Sequence, residues 1–517
     1  MELIKRNIHM DCLKCKASIQ ITLEDDINIS DSRPDALKLI MDRGNVVIEE
    51  VRVTDDHVGV KGILKAGILY LAEGPKAKAA AMEGEIPFEE QIYMEGIRSG
   101  DNVSVSWEIE DLSTGLINSR KFSIQSVLLL KAVCEEICDE ETAVDISGQE
   151  PVEFRKKSLN IASMVMKKKD IFRMKEEVEI PGSFPNIFSM IWWEVEPSEV
   201  EFKVLDDKIS VQGEIRAFFL YLGEGEEEEI CHYETVLPFA GSLACDGARE
   251  GMIPEIRYQA EAREVTVRPD FDGEERVITF ELCLNLDICA YEEENIDILS
   301  DVYGVVQETN VQEKEALFRS YLGRSNGKMK LSGHFKAAEG EQIGKVLHTC
   351  GKLQTADVSL GETGIEISGT VSVQVLYESS KEEKWFGMIK EELPFQYVLD
   401  AEGVGRDCVY PLQTDLEQIT VSIIDTDEID VKCVLFFHTN IYRQWKEKIV
   451  EQITTCELDS EKIDSLPGIA IYVVREGESL WDIGKRYYVP ISAIRQTNEL
   501  ASDEVKTGDR ILIMRNL

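Results

Sequence analysis

Apolar and polar residues alternate with a period of two through most of this chain. Around Gly62 the stretch VTDDHVGVKGILKAGILYLAEG places Val58, Val60 and Ile63 at strand-like spacing, and Ile365, Ile367, Val371, Val373 and Val375 do the same on either side of Gly369. β-branched residues dominate these runs and Asp/Gly turns bound them, which predicts half-buried strands. Two further segments, ALKLIMD (36–42) and NIFSMIWW (186–193), fit a short helix and a buried strand equally well.

The alternating pattern recurs. A Leu-Tyr pair follows a strand glycine by seven and eight residues at Leu69-Tyr70 after Gly62, Leu220-Tyr221 after Gly213, and Leu376-Tyr377 after Gly369. A Pro-Phe pair follows each glycine at the same distance, as Pro87-Phe88, Pro238-Phe239 and Pro394-Phe395. In the first two copies Pro34 and Pro185 also precede the glycine at equal spacing, and LEDDINI (23–29) aligns with MKEEVEI (174–180); the third copy shows this part only faintly. Each unit is about 150 residues long, a domain rather than a solenoid turn. A glycine inside such a strand predicts a bulge or a close backbone approach, and the Pro-Phe pair predicts an anchored aromatic at a strand start.

After the third copy the pattern changes. The stretch ELDSEKIDSLPG reads as a flexible acidic linker, and the residues beyond it read strand, helix, helix, strand. Tyr472 to Val474 form the first strand, Gly477 permits a turn, and Ser479 with Asp482 makes a capping box ahead of a helix whose apolar face starts with Leu480 and Ile483. Pro490 ends that helix and starts a second one carrying Ile491 and Ile494. Asn498 closes it, Gly508 turns the chain, and Ile511 to Ile513 return as the second strand. The expected fold class is therefore mainly β: three tandem β-rich domains (1–150, 151–305, 306–456), a linker (457–469) and a small βααβ domain (470–517). A 517-residue chain is long enough for three or four cores.

The residues shared by the copies are those that build strands. Asp55-Asp56 and Asp206-Asp207 align, but neighbours in a strand point to opposite faces, so a turn is the better reading. The six histidines (His9, His57, His232, His334, His348, His438) belong to no shared motif, which leaves acid–base or triad chemistry without a carrier. No phosphate-cradling glycine motif occurs either. Twelve cysteines are scattered, with one CxxC (Cys12, Cys15), and no second pair completes a four-ligand zinc site, so buried reduced thiols are expected. These readings predict a non-enzymatic protein with no cofactor and no metal.

Charge narrows the partners. The net charge of -42 repels phosphate backbones and anionic membranes, so nucleic acid and membrane surfaces are poor partners and a basic protein surface a better one. The only dense basic clusters, Lys156-Lys157 and Lys167 to Lys169, read as solvated faces. Residues 470–517 hold seven Lys/Arg and seven Asp/Glu, so the whole excess lies upstream. The first residues lack the apolar core of a secretory signal, and no run approaches the roughly 20 apolar residues of a transmembrane helix, so the expected location is cytoplasmic.

The block GESLWDIGKRY, Asn498 and VKTGDRILI resemble the LysM domain over residues 471–515. That resemblance implies binding of N-acetylglucosamine-containing glycans in a groove with Gly477, Glu478, Ser479, Leu480 and Trp481 on one wall and Glu499, Leu500, Ala501 and Ser502 on the other. The family's usual Asp-Thr after the glycine is Glu478-Ser479 here. Three such repeats ahead of a LysM domain are similar to the SPOCS-domain, SipL-like family of spore coat morphogenesis proteins from spore-forming Firmicutes. What this implies is a scaffold in the mother-cell cytoplasm, at the forespore surface, with the coat-assembly ATPase SpoIVA as its protein partner. Leu480, Trp481 and Leu500 are the expected apolar anchors; the alternative for Trp481 and Leu480 is packing in the module's own core, a reading at least as strong for Leu480. The competing function is a cell-wall protein or hydrolase targeted to peptidoglycan or chitin oligomers by the LysM domain.

Overall fold

Each repeat starts and ends on a very long strand, and the two pair with each other along most of their length. In the computed structural model, which describes residues 2–73, 78–148, 151–225, 229–380, 386–458 and 466–515, the first repeat comprises β1 (Glu2–Asn28), β2 (Ala36–Thr54), β3 (His57–Ala72), β4 (Lys78–Tyr93), β5 (Val103–Asn118) and β6 (Lys121–Ser147). They form two three-stranded antiparallel sheets, ordered β1-β6-β5 and β2-β3-β4. The second repeat follows the same plan with β7 (Val152–Glu179), β8 (Ile187–Leu205), β9 (Lys208–Gly223), β10 (Ile230–Ala244), β11 (Ile253–Pro269) and β12 (Glu275–Gly304). Its sheets are β11-β12-β7 and β10-β9-β8. In the third, β13 (Gln307–Lys336), β14 (Ile343–Leu360), β15 (Gly364–Ser379), β16 (Phe386–Asp400), the two-residue β17 (Cys408–Val409), β18 (Leu412–Asp425) and β19 (Glu428–Glu457) give sheets built on β13-β19 and β14-β15-β16. The terminal module adds β20 (Ile469–Val473), α1 (Leu480–Tyr487), α2 (Ile491–Asn498) and β21 (Arg510–Met514). The fold is mainly β, as the alternation predicts, and both undecided segments are strands.

The shared residues now have physical reasons. Gly62, Gly213 and Gly369 sit in the middle strand of the inner sheet of each repeat, directly across from Phe88, Phe239 and Phe395. Each phenylalanine ring lies over its glycine: a Cβ at Gly62 would fall 2.7 Å from Phe88 Cζ and 2.7 Å from the Val47 carbonyl oxygen. The strand on the other side shifts register beside the glycine, between Ile48 and Glu50 in the first repeat and between Ser198 and Glu201 in the second. Bulge and close approach therefore occur together. The Leu-Tyr pair divides between the two faces of the same strand. Tyr70, Tyr221 and Tyr377 turn into the cores of their own repeats. Tyr70 donates its hydroxyl to the Pro34 carbonyl (3.1 Å) and Tyr221 to the Pro185 carbonyl (3.3 Å). In the third repeat Glu341 takes the proline's place and its carboxylate accepts from Tyr377, which is why the upstream likeness fades there.

The leucines of the pair point the other way. Leu69, Leu220 and Leu376 meet in one cluster with Ile40, Met41, Trp192, Phe218, Leu347 and Phe386, drawn from all three repeats. A second shared cluster joins the long strands: Ile8 and Met10 of the first repeat, Leu159, Ile161, Ile296 and Ile298 of the second, and Ala316, Phe318 and Ile449 of the third. At roughly 1.5–3 kcal/mol per large buried side chain, these two clusters hold the repeats together as firmly as a domain core would.

Ion pairs line the same seams, and here the reading of the basic clusters needs correction. Lys167 is 13% exposed and pairs with Glu135 of the first repeat at 2.9 Å, a carboxylate that also takes Arg257 at 3.0 Å. Lys156 reaches Asp145 of the first repeat at 3.1 Å, and Lys157 reaches Glu447 of the third at 2.6 Å. These lysines are not merely solvated: in a strongly acidic chain they neutralise carboxylates where the repeats touch. The aligned aspartates are turn residues, as expected. Asp56 and Asp207 adopt positive φ (59° and 55°), and their side chains accept from Gly96 N (2.8 Å) and Gly247 N (3.0 Å).

Candidate functional site

The terminal module has its own small core of Val474, Leu480, Ile483, Val489, Ile494, Ile511 and Ile513. Ser479 caps α1 as the sequence predicts: Asp482 N donates to its hydroxyl, and Ser479 N donates to the Asp482 carboxylate at 2.9 Å. Asn498 ties α2 to the sheet, donating to the Leu512 carbonyl and accepting from Leu512 N, each at 2.7 Å. Of the expected linker, residues 459–465 lie outside the described residues.

The nine expected groove residues do not share one surface. Gly477 (φ 78°), Glu499 (φ 53°), Ala501 and Ser502 are exposed on the turns at the module's helix ends, while Ser479 is half-buried and occupied by the cap. Leu480 is fully buried in the module's core, and Leu500 is half-buried against that core. Glu478 accepts from the Tyr472 hydroxyl (2.6 Å), the Arg486 guanidinium (2.8 Å) and Arg475 N (3.1 Å), and these donors, the tyrosine first, hold its carboxyl down at about 2. It is a latch between the turn and α1 as much as a surface acid.

Trp481 faces the second repeat. Its indole N–H donates to Asp301 at 2.7 Å, its ring meets Tyr303 edge-on with centroids 4.9 Å apart, and Arg155 lies 5.4 Å over the ring. Lys485, one helical turn on, donates to both Asp301 oxygens at 2.7 and 2.9 Å. The Tyr303 hydroxyl donates to the Val489 carbonyl at 2.9 Å, and a Cβ at Gly484 would come 2.5 Å from that hydroxyl. The helix face bearing residues 481, 484 and 485 is thus clamped onto the end of β12, and burial raises the pKa of the Tyr303 hydroxyl. Sequence alone gave no sign of this seat, because Asp301 and Tyr303 lie about 180 residues away and belong to no repeated motif.

What the module leaves open is its sheet. Ile469 (66% exposed), Ile471 (70%), Val473 (52%) and Met514 (47%) share the outer face of β20-β21, where Ile469 lies opposite Met514. The alternation in IAIYV holds the signal for this face, since both of its sides are apolar and only one can enter so small a core.

A second polar site lies at the inter-repeat centre and was not anticipated. Equivalent strand positions in the three repeats carry Met41, Trp192 and His348, and then, two residues on, Arg43, Glu194 and Cys350. His348 Nε2 lies 2.8 Å from Glu194 Oε2, and its ring stacks on Phe218 with centroids 3.9 Å apart. The Arg43 guanidinium is 4.5 Å from the ring centres of both Trp192 and Trp193. The signal in the sequence was a substitution pattern, titratable residues at aligned positions where another copy has an apolar one.

Comparison with known families identifies both kinds of domain. The family model described as SipL, SPOCS domain, matches three times, over residues 35–117, 186–268 and 342–424, which in each repeat covers the inner sheet and the strand after it. A LysM domain model matches residues 472–513. No curated protein and no solved structure matches the chain. Domains of these two kinds together fit a sporulation- or coat-associated protein with a wall-binding module, and a LysM domain suggests binding of a glycan such as N-acetylglucosamine polymer. Among the described residues no helix is long and apolar enough to cross a membrane.

Proposed function

Taking the chain as a SPOCS-domain protein that ends in a LysM domain, we propose that it is a non-enzymatic scaffold of spore coat assembly. It works in the mother-cell cytoplasm at the forespore surface, and its LysM module docks the coat-assembly ATPase SpoIVA. The observation that carries this reading is the module's exposed apolar sheet, Ile469, Ile471, Val473 and Met514, on a domain whose Trp481 face is already spent on the second repeat. A contiguous apolar face on a module of near-zero net charge suits protein docking, and it avoids the repulsion that the acidic repeats would meet against an acidic partner. The groove turn at Glu499 to Ser502 borders the same module and supplies exposed polar groups for a rim.

Capture of purified SpoIVA by the full chain tests the proposal. Ile471→Glu places a charge on the exposed face without touching the module's core, and it should abolish capture while leaving the circular dichroism spectrum unchanged. Undiminished capture would move docking to the repeats. A wall-binding role is the second reading, favoured by the LysM match and by the exposed Gly477, Ala501 and Ser502. Retention of the wild-type chain on insoluble peptidoglycan, lost on Ala501→Trp, would support it instead.

A further inference from the structure

We propose that Glu194, His348 and Cys350 form a site for one divalent transition-metal ion of the zinc type, held between the second and third repeats. One ligand atom from each residue lies within 4.8 Å of the other two, a spread that a single ion can gather by small side-chain rotations. The donor set is one imidazole nitrogen, one thiolate and one carboxylate oxygen, a combination that suits zinc and its neighbours and disfavours calcium or magnesium. His348 and Cys350 are two residues apart in β14 and so share one face of the strand, while Glu194 comes from the equivalent position in β8.

The surroundings are those of a built site. The His348 ring is held by its stack on Phe218 at 3.9 Å. His348 is 7% exposed, yet its Nδ1 has no hydrogen-bond partner among the described residues and faces Glu234 Oε1 at 3.8 Å. With Nε2 on an ion, Nδ1–H would point to that carboxylate, the outer arrangement that fixes a metal-bound histidine. Glu194 has a similar support, since Trp192 Nε1 donates to its Oε1 at 3.1 Å and leaves Oε2 for the ion. Three protein donors leave a fourth position for water, and the partial exposure of Glu194 and Cys350 gives the ion a route in. Binding releases the Cys350 thiol proton and the His348 Nε2 proton to solvent, leaves the Nδ1 proton on the ring, and replaces the His348–Glu194 hydrogen bond by two metal bonds. The competing arrangement is that hydrogen-bonded pair alone, with Cys350 an inert thiol beside it.

The test uses the full-length, untagged chain. It is dialysed against excess zinc, passed over a desalting column and its metal content measured; a parallel sample takes cobalt for its absorption spectrum. The proposal predicts one zinc per chain and, with cobalt, a thiolate-to-cobalt charge-transfer band. Cys350→Ser and His348→Gln should each bind at least tenfold more weakly, and Cys350→Ser should lose the charge-transfer band, whereas Cys12→Ser/Cys15→Ser should behave as wild type. Retention of less than a tenth of an equivalent by the wild-type chain would overturn the proposal. So would an unchanged metal content and cobalt spectrum in Cys350→Ser, since the ion would then sit on other cysteines. Matching circular dichroism spectra of the variants in chelator confirm that folding is not what was lost.

Discussion

Replacing Asp301 by alanine should release the LysM module from its seat. The substitution removes the acceptor of the Trp481 indole N–H, a hydrogen bond to a charged group worth about 1.5–3 kcal/mol. It also removes the ion pair with Lys485, whose side chain is 42% exposed, so that contact adds at most about 1 kcal/mol. The edge-on Tyr303–Trp481 contact and the Tyr303 hydroxyl bond to Val489 survive, which keeps the loss to about 2–4 kcal/mol. At 1.4 kcal/mol per tenfold, the undocked population should rise roughly 30- to 700-fold. Exchange of the Trp481 indole N–H, resolved from the other five tryptophans by Trp481→Phe, reports that population directly. The rate should climb by that factor, and Asp301→Asn, which keeps an acceptor without the charge, should fall between. An indole exchange rate within threefold of wild type would refute the reasoning, because the clamp would then hold nothing.

Three further outcomes follow from the same structure. Gly369→Ala should destabilise the chain by about 1–3 kcal/mol in urea unfolding, because its Cβ would meet the Gln354 carbonyl oxygen at 2.1 Å, whereas Gly182→Ala, with nothing within 4 Å, should be neutral. Glu135→Gln should cost on the order of 3 kcal/mol by leaving Lys167 and Arg257 half-paired at the seam, while Glu135→Leu/Lys167→Met should recover much of it. Glu478 is held at about 2 against 4.5 for a free glutamate, so its contacts support the module above pH 4.5 and are lost as pH falls toward 2. The carboxylate ¹³C shift of Glu478 should titrate near 2, and a midpoint near 4.5 would show that the Tyr472–Arg486 latch is absent.

The features legible in the sequence are those each repeat needs for itself. Gly62 recurs because Phe88 must lie over it, and Tyr70 recurs because its hydroxyl closes on the Pro34 position of its own repeat, a carbonyl in two copies and the Glu341 carboxylate in the third. The capping box at Ser479 and the turn at Gly477 are local for the same reason. The inter-repeat centre follows this logic only in part. The leucine of each Leu-Tyr pair recurs there, but the neighbouring strands bring Met41, Trp192 and His348 to one equivalent position, where the side chains complement one another instead of repeating. Recurrence is blind to such complementary residues. The segments 36–42 and 186–193 resisted assignment because each carries two register shifts, at Ala36/Lys38 and Leu39/Met41 in the first and at Ile187/Ser189 and Met190/Trp192 in the second, which break the period-two alternation. Trp481 reads from the sequence as an anchor for a protein partner or as core, whereas it seats α1 on Asp301, and nothing local couples α1 to the end of β12.

The proposed role has the LysM module dock the coat-assembly ATPase through its exposed sheet face. The most direct measurement is the affinity of purified SpoIVA for the full chain and for its Ile471→Glu variant, by surface-immobilised binding at one salt concentration. Saturable binding by the wild-type chain and a loss of at least tenfold in the variant are expected, with both chains equally folded. Equal affinities for the two chains would contradict it.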